Sequence, residues 1–162
     1  MTWLKEILFD KVTPLWRHIL LLWPVIMLPD VITGTLAQLV AYMLRGKVVQ
    51  SLPDHTNSFG SALLSIIVAP IVETLLLCLW IETATHFKLK KIRIAVIAGV
   101  VAGLFHAIFS PTWFFTTAWG FFVFTCAYLA WRPTSFPKAF TAAAVPHALN
   151  NATVVLLLFF IS

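Results

Sequence analysis

The sequence predicts an all-α protein, a multi-pass transmembrane helical bundle of about five spans with a short amphipathic N-terminal helix. First, apolar residues make up 60% of the 162-residue chain and charged residues 10%, whereas a soluble domain is about half apolar and about a quarter charged. Second, long apolar stretches alternate with short basic clusters, as bilayer-spanning helices require. Third, at about 20 residues a span the chain has room for a compact bundle and little else. We therefore expect residues 1–162 to form a single membrane domain.

The elements can be placed in order along the chain. Residues 2–17 mix apolar and charged side chains, which is typical of a short amphipathic helix at the membrane interface. A first span is expected at 18–44, where Pro24 and Pro29 predict a kink or a break, and a polar loop follows at 45–58. The remaining spans are expected at 59–85, 94–109, 113–131 and 138–161.

The basic residues are distributed unevenly between the ends of the expected spans. If the N-terminus is cytoplasmic, nine of the 11 Lys and Arg residues fall on that side and two, Arg45 and Lys47, on the other. Cytoplasmic loops carry the excess of Lys and Arg, so we expect a cytoplasmic N-terminus, in the cell membrane of a prokaryote. Topology and contact with anionic lipid also account for the net charge of +5, and no nucleic-acid partner is expected.

Four polar side chains lie deep in the expected spans. An acidic side chain at the centre of a span costs roughly 2.5–3.5 kcal/mol on insertion scales, and such residues normally face the bundle interior. With a rise of about 1.5 Å per residue, four residues fall within about one helical turn of the same depth: Glu73, His106, His147 and Asn151. His147 and Asn151 also share a helix stripe at i, i+4, and Asn150 lies near enough to substitute. We therefore expect one shared site near the membrane midplane.

A carboxylate, two imidazoles and a carboxamide in a dry site have the chemistry needed to hydrolyse an amide. The carboxylate can act as a general base toward water, and His and Asn side chains can donate hydrogen bonds to a developing oxyanion. The set also resembles a divalent-metal site made of Glu73, His106 and His147. The ligands are scattered over three helices without an HExxH pair, so a metal is the minority expectation and no other cofactor is expected.

The three segments that carry these residues resemble the motifs of the CPBP family, the CAAX-protease and bacteriocin-processing (Abi) intramembrane endopeptidases. That family is identified by EExxxR after an Ala-Pro-like lead, then FxxxH, then HxxxN. The chain reads APIVETLLLC at 69–78, AGLFH at 102–106 and HALNN at 147–151. Order and spacing fit, and the resemblance covers about residues 60–155.

The resemblance implies a glutamate-dependent intramembrane peptidase and gives each site residue a role. Glu73 corresponds to the water-activating glutamate, and His106 to the residue that positions the water or the substrate. His147 and Asn151 correspond to the pair that stabilises the oxyanion. The implied substrates are membrane-embedded, lipidated or leader-bearing peptides and proteins, cleaved in or beside the lipid bilayer.

Three positions depart from the family motifs, and two other functions stay open. Thr74 stands where a second Glu is usual, Cys78 where Arg is usual, and Ala102 where Phe is usual. One alternative is therefore a catalytically inactive membrane scaffold of the same fold that binds a partner protein. The other is a small proton-coupled transporter, in which Glu73 and the histidines relay protons.

The other titratable side chains are expected to lie outside the site. Glu82 is about 180° round its helix from Glu73, so we expect it to meet solvent or lipid headgroups. Cys78 and Cys126 fall in apolar stretches and are expected to be buried thiols rather than a disulfide. The remaining histidines lie at span ends or in loops and are expected to be solvated: His18, His55 and His86.

Overall fold

The structure of the protein, a computed structural model, describes residues 2–9, 13–46 and 59–161. The described residues form helices joined by short turns, which confirms the predicted all-α class. In chain order the helices are α1 (Thr2–Phe9), α2 (Leu15–Arg45), α3 (Phe59–His86, with a π-helical turn at Leu64–Val68), α4 (Lys91–Ala107), α5 (Trp113–Trp131) and α6 (Phe136–Ile161).

Four of the described helices, namely α2, α3, α5 and α6, are long and apolar enough to cross a membrane. They support the prediction of a multi-pass membrane protein. The span expected at 94–109 corresponds to α4, which has 17 residues. At a rise of about 1.5 Å per residue α4 is about 26 Å long, slightly shorter than a hydrocarbon core of about 30 Å. Helix α1 covers the first half of the segment 2–17, buries Leu8 against the bundle and exposes Glu6. Its location at the membrane interface stays a prediction.

Helix α5 is the central helix of the bundle. Every residue at 123–131 is buried, whereas α2, α3 and α4 each expose a face of large apolar side chains such as Leu28, Leu76 and Leu104. A helix that is apolar all round is suited either to a protein core or to a lipid environment. Here α5 fills the core and its neighbours present their outer faces to lipid.

A stripe of small residues lets α4 approach α5 closely. A Cβ atom added at Gly99 would overlap the carbonyl oxygen of Ala118, and one at Gly103 would lie 2.8 Å from the carbonyl oxygen of Phe114. Small residues spaced four apart are the usual means by which membrane helices bring their backbones together. The close approach places α4, and with it His106, against the centre of the bundle.

We expect Gly99→Ala to destabilise the bundle, because the added methyl group meets backbone rather than a movable side chain. Overpacking of this kind costs about 1–3 kcal/mol. Gly120→Ala is the matched control, since a Cβ atom there lies 3.5 Å from its nearest neighbour, an ordinary contact. Thermal unfolding in detergent measures both, and equal melting temperatures for the two variants would contradict the close packing of α4 on α5.

Helix α2 continues through Pro24 and Pro29, so the break considered from the sequence is absent. A proline has no N–H, and Pro29 therefore leaves the carbonyl of Val25 without its usual donor one turn earlier. Trp119 of α5 donates its indole N–H to that oxygen at 2.9 Å. A neighbouring helix thus supplies the hydrogen bond that the proline removes, as is required inside a membrane.

Candidate active site

Three of the four predicted site residues meet between α3, α4 and α6. The Oε2 atom of Glu73 lies 3.9 Å from Nε2 of His106 and 3.6 Å from Nε2 of His147. The common depth predicted from the helical rise therefore corresponds to real proximity. Both separations are longer than a direct hydrogen bond. The carboxylate therefore faces two ring nitrogens, and a water molecule can bridge it to either of them.

The ring of His106 is oriented by its own helix. Its Nδ1 atom lies 2.9 Å from the carbonyl oxygen of Ala102, one turn earlier. A carbonyl only accepts, so Nδ1 carries the hydrogen and Nε2 of the neutral ring presents a lone pair toward Glu73. A lone pair and a carboxylate repel each other. The two groups are compatible when a proton lies between them, on either group or on a bridging water.

The ring of His147 is held by aromatic packing. It stacks on Phe124 with centroids 4.6 Å apart and an interplanar angle of 20°, and it meets the edge of Phe121 at 5.4 Å. The residue is 5% exposed. Within the described part of the chain its Nδ1 atom is buried and has no hydrogen-bond partner. Nε2 is thus the ring nitrogen of His147 that faces another polar group, the carboxylate of Glu73.

Asn151 joins α6 to the π-helical turn of α3. In that turn the N–H of Ala69 bonds to the carbonyl of Leu64, five residues earlier. In the same register the carbonyl of Ser65 faces position 70, a proline without an N–H. Asn151 donates from Nδ2 to that oxygen at 2.9 Å. One of its two N–H groups is therefore committed to the backbone of α3.

Asn150, the predicted substitute for Asn151, lies near Asp30 of α2. That Asn150 can take the place of Asn151 stays a prediction. The Oδ1 atoms of Asp30 and Asn150 are both buried and have no partner among the described residues.

The site is more open on the side of α3 and α4 than on the side of α6. The side chains of Glu73 and His106 are 29% and 22% exposed, and that of His147 is 6% exposed. Thr74 is buried. The thiol of Cys78 is buried and lies near Tyr128 of α5. Two positions that depart from the family motif thus pack into the protein rather than toward the opening.

Glu82 takes part in a hydrogen-bonded group at the other end of α3. It accepts hydrogen bonds from Tyr128 at 2.6 Å and from Arg132, and its side chain is 42% exposed. The expectation of contact with solvent holds for part of the side chain, but the charge is paired. The hydrogen bond to Glu82 raises the pKa of Arg132, which keeps the pair charged. The group ties α3 to the end of α5.

The prediction that His18 is solvated is wrong. His18 is fully buried, and Trp131 donates its indole N–H to Nδ1 at 2.6 Å. Because Nδ1 accepts, Nε2 carries the hydrogen and donates to the carbonyl of Ile7 at 2.8 Å. This contact joins α1, α2 and α5, and nothing in the sequence links positions 113 residues apart. His86 is exposed, as expected, whereas position 55 lies outside the described residues.

The described residues contain no group of three or more His, Cys, Asp or Glu side chains arranged to hold a metal ion. The two thiols, Cys78 and Cys126, are free and buried, as predicted. A divalent metal at Glu73, His106 and His147 stays the minority expectation, to be tested with a chelator.

The comparisons with known proteins assign no family to the chain. The similarity to the CPBP motifs is confined to the segments at 69–78, 102–106 and 147–151. No family model, curated protein or solved structure matches this sequence.

Proposed function

We propose that the protein is an intramembrane endopeptidase that hydrolyses a peptide bond with a water activated by Glu73. The observation that supports this best is the meeting of one carboxylate and two imidazole Nε2 atoms within 4 Å, from three separate helices. Ionisable side chains are costly inside spans and usually functional. Three of them converging on one point are difficult to explain by packing.

In the proposed reaction the water lies between Glu73 and His106. The Nε2 lone pair of His106 accepts one hydrogen bond from the water, and the carboxylate of Glu73 accepts the other. As the water oxygen attacks the scissile carbonyl carbon, its proton passes to Glu73. That proton then goes to the leaving nitrogen as the C–N bond breaks, which restores the carboxylate.

His147 and Asn151 stabilise the charge that develops on the carbonyl oxygen. His147 acts as a donor from Nε2, the ring atom nearest the carboxylate. Asn151 uses one N–H to hold α3, which leaves its second N–H for the oxyanion. Its first contribution is thus to keep α3 and α6 together, a role that the sequence did not indicate.

The opening beside Glu73 and His106 fits a substrate that is itself in the membrane. Leu76 and Leu104, which lie on the same two helices, are largely exposed apolar residues. A membrane-embedded, lipidated or leader-bearing peptide or protein can approach laterally from the lipid. The test is intact-mass analysis of candidate substrates co-expressed with the wild type, and a cleaved product is the expected result.

The proposal includes a topology of five spans in a prokaryotic cell membrane, with the N-terminus in the cytoplasm. The short helix α4 is the third span in chain order and adds to the four longer ones. The support is the distribution of Lys and Arg, nine on one side and two on the other. In this topology the turn between α3 and α4 lies in the cytoplasm. The turn between α4 and α5 lies on the opposite side.

We expect Pro111→Cys, in the turn after α4, to react with a membrane-impermeant maleimide added to intact cells. Lys90→Cys, in the turn before α4, should react only after permeabilisation. Both positions are exposed, and the native cysteines are buried and can be replaced by Ser. Labelling of both variants in detergent is the control, and labelling of Lys90→Cys from outside intact cells would overturn the orientation.

A further inference from the structure

A groove runs along the outside of the bundle between α2, α4 and α5. Its volume is about 390 Å³, within the range of about 300–1,000 Å³ that is usual for ligand pockets. All three helices contribute to its lining, which includes Thr33, Val96, Val100, Phe115, Trp119 and Phe122. None of the lining residues belongs to the candidate active site, so the groove is a separate feature of the bundle.

The interior of the groove is apolar in its chemistry. Its two polar side chains already have hydrogen-bond partners within the protein. Thr33 donates to the carbonyl oxygen of Pro29 at 2.7 Å, and Trp119 donates to that of Val25 at 2.9 Å. A guest therefore does not need to offer a hydrogen bond to either of them, and a hydrocarbon chain is suited to the groove.

A cationic side chain begins the face of α4 that lines the groove. Arg93 precedes Val96 by three residues and Val100 by seven, so it lies about 60° and about 20° from them round the helix. Arg93 is exposed, and no ion pair among the described residues includes it. The neighbouring Lys91 is held against α5, with Nζ 3.5 Å from the carbonyl oxygen of Leu129. The guanidinium group of Arg93 is thus available to a guest in the groove.

An apolar groove with a cation at one end matches an amphiphile that has an anionic headgroup. Arginine binds a phosphate group through two parallel hydrogen bonds. Lipid tails are about as apolar as the side chains of a membrane protein, so the groove alone does not select one lipid from another. Selection therefore depends on the charge of the headgroup. In the proposed topology α4 begins at the cytoplasmic face, where anionic lipids are found.

We propose that this groove binds one anionic phospholipid of the cytoplasmic leaflet, with an acyl chain along α4 and the phosphate on Arg93. The assignment to this leaflet rests on the proposed topology. The binding itself depends neither on the topology nor on the peptidase function, because it uses residues outside the active site.

The first experiment measures lipid binding to the purified protein in detergent by native mass spectrometry. The probes are phosphatidylglycerol and phosphatidylcholine with identical acyl chains. A basic residue near an anionic membrane surface contributes roughly fivefold in affinity. We therefore expect phosphatidylglycerol to bind about fivefold more tightly, and Arg93→Gln to remove this preference. Lys138→Gln is the matched control, because Lys138 is also exposed and has no ion pair among the described residues.

A second experiment blocks the groove after the protein has folded. Val100→Cys and Val101→Cys are made with the two buried native cysteines replaced by Ser, and each is alkylated with a bulky maleimide. Both valines are exposed, but Val100 lines the groove and Val101 does not. We expect alkylation at position 100 to abolish the binding of phosphatidylglycerol and alkylation at position 101 to leave it unchanged. Since the label is added to folded protein, a folding defect does not explain the difference.

Three results would overturn the proposal. Equal affinity for the two lipids, or equal losses in Arg93→Gln and Lys138→Gln, would show that Arg93 does not select the headgroup. Unchanged binding after alkylation at position 100 would show that the acyl chain lies elsewhere. Displacement of the lipid by an equal concentration of glycerophosphoglycerol, the headgroup without its chains, would show that the groove is not needed. All of these outcomes are measured without any substrate, so they are independent of the peptidase proposal.

Discussion

Glu73→Gln is expected to abolish turnover while leaving a folded bundle. The amide keeps the size of the side chain but cannot take a proton from water. A positioned general base typically contributes about 10²–10⁴-fold to the rate. The measurement is cleavage of a confirmed substrate in detergent or liposomes, with and without chelator, so that a metal-dependent reaction is recognised.

Glu82→Gln is the matched control for this variant. Glu82 lies on the same helix, and its partners, Tyr128 and Arg132, are not part of the site. We expect it to cleave at the wild-type rate. If Glu73→Gln also cleaves at that rate, the mechanism with Glu73 as the base is wrong. If the wild type itself cleaves no candidate substrate, the scaffold alternative takes the place of the peptidase proposal. Proton-coupled flux in liposomes that needs Glu73, without any cleaved product, would instead support a transporter.

His147→Ala is expected to be nearly as damaging as Glu73→Gln. Its loss removes the donor nearest the carboxylate. Removal of one oxyanion donor costs about 2.7–4 kcal/mol in comparable sites, or about 10²–10³-fold in kcat. The ring also stacks on Phe124, so the melting temperature is measured alongside kcat to separate lost chemistry from lost packing. His86→Ala, at an exposed histidine, is the control.

The double variant Glu73→Gln/His147→Ala shows whether the two residues act as one unit. Groups that take part in the same step are strongly non-additive. We therefore expect the double variant to be little slower than either single variant. Losses that multiply would indicate two independent effects and would contradict a shared site.

The sequence was sufficient to predict the depth of the site residues in the membrane, but not to predict all of their hydrogen-bond partners. A constant rise per residue relates position in a span to depth, which is why Glu73, His106 and His147 were expected at one level. Which amide faces which helix depends on rotation about the helix axis and on packing. The hydrogen bond from Asn151 to the backbone of α3 was therefore evident only in the structure.

Contacts between distant segments were equally beyond the sequence. The burial of His18 depends on Trp131, a residue of another helix. The π-helical turn of α3 was also not predicted, although Pro70 signals a local change in backbone hydrogen bonding. In both places a side chain of another helix makes the hydrogen bond: Trp131 bonds the ring of His18, and Asn151 bonds the carbonyl of Ser65. The periodicity of a single segment does not predict contacts of this kind.

The hydrogen bond from Asn151 to Ser65 has a consequence for the order in which the protein is assembled. During synthesis α3 emerges before α6. The carbonyl of Ser65 therefore lacks the donor Asn151 until α6 has been made. An unsatisfied backbone group costs several kcal/mol in lipid, and this favours the arrival of α6 at α3. The same arrival brings His147 to Glu73. The site is thus completed only when α6 has joined α3, and a chain synthesised only as far as α5 has no assembled site.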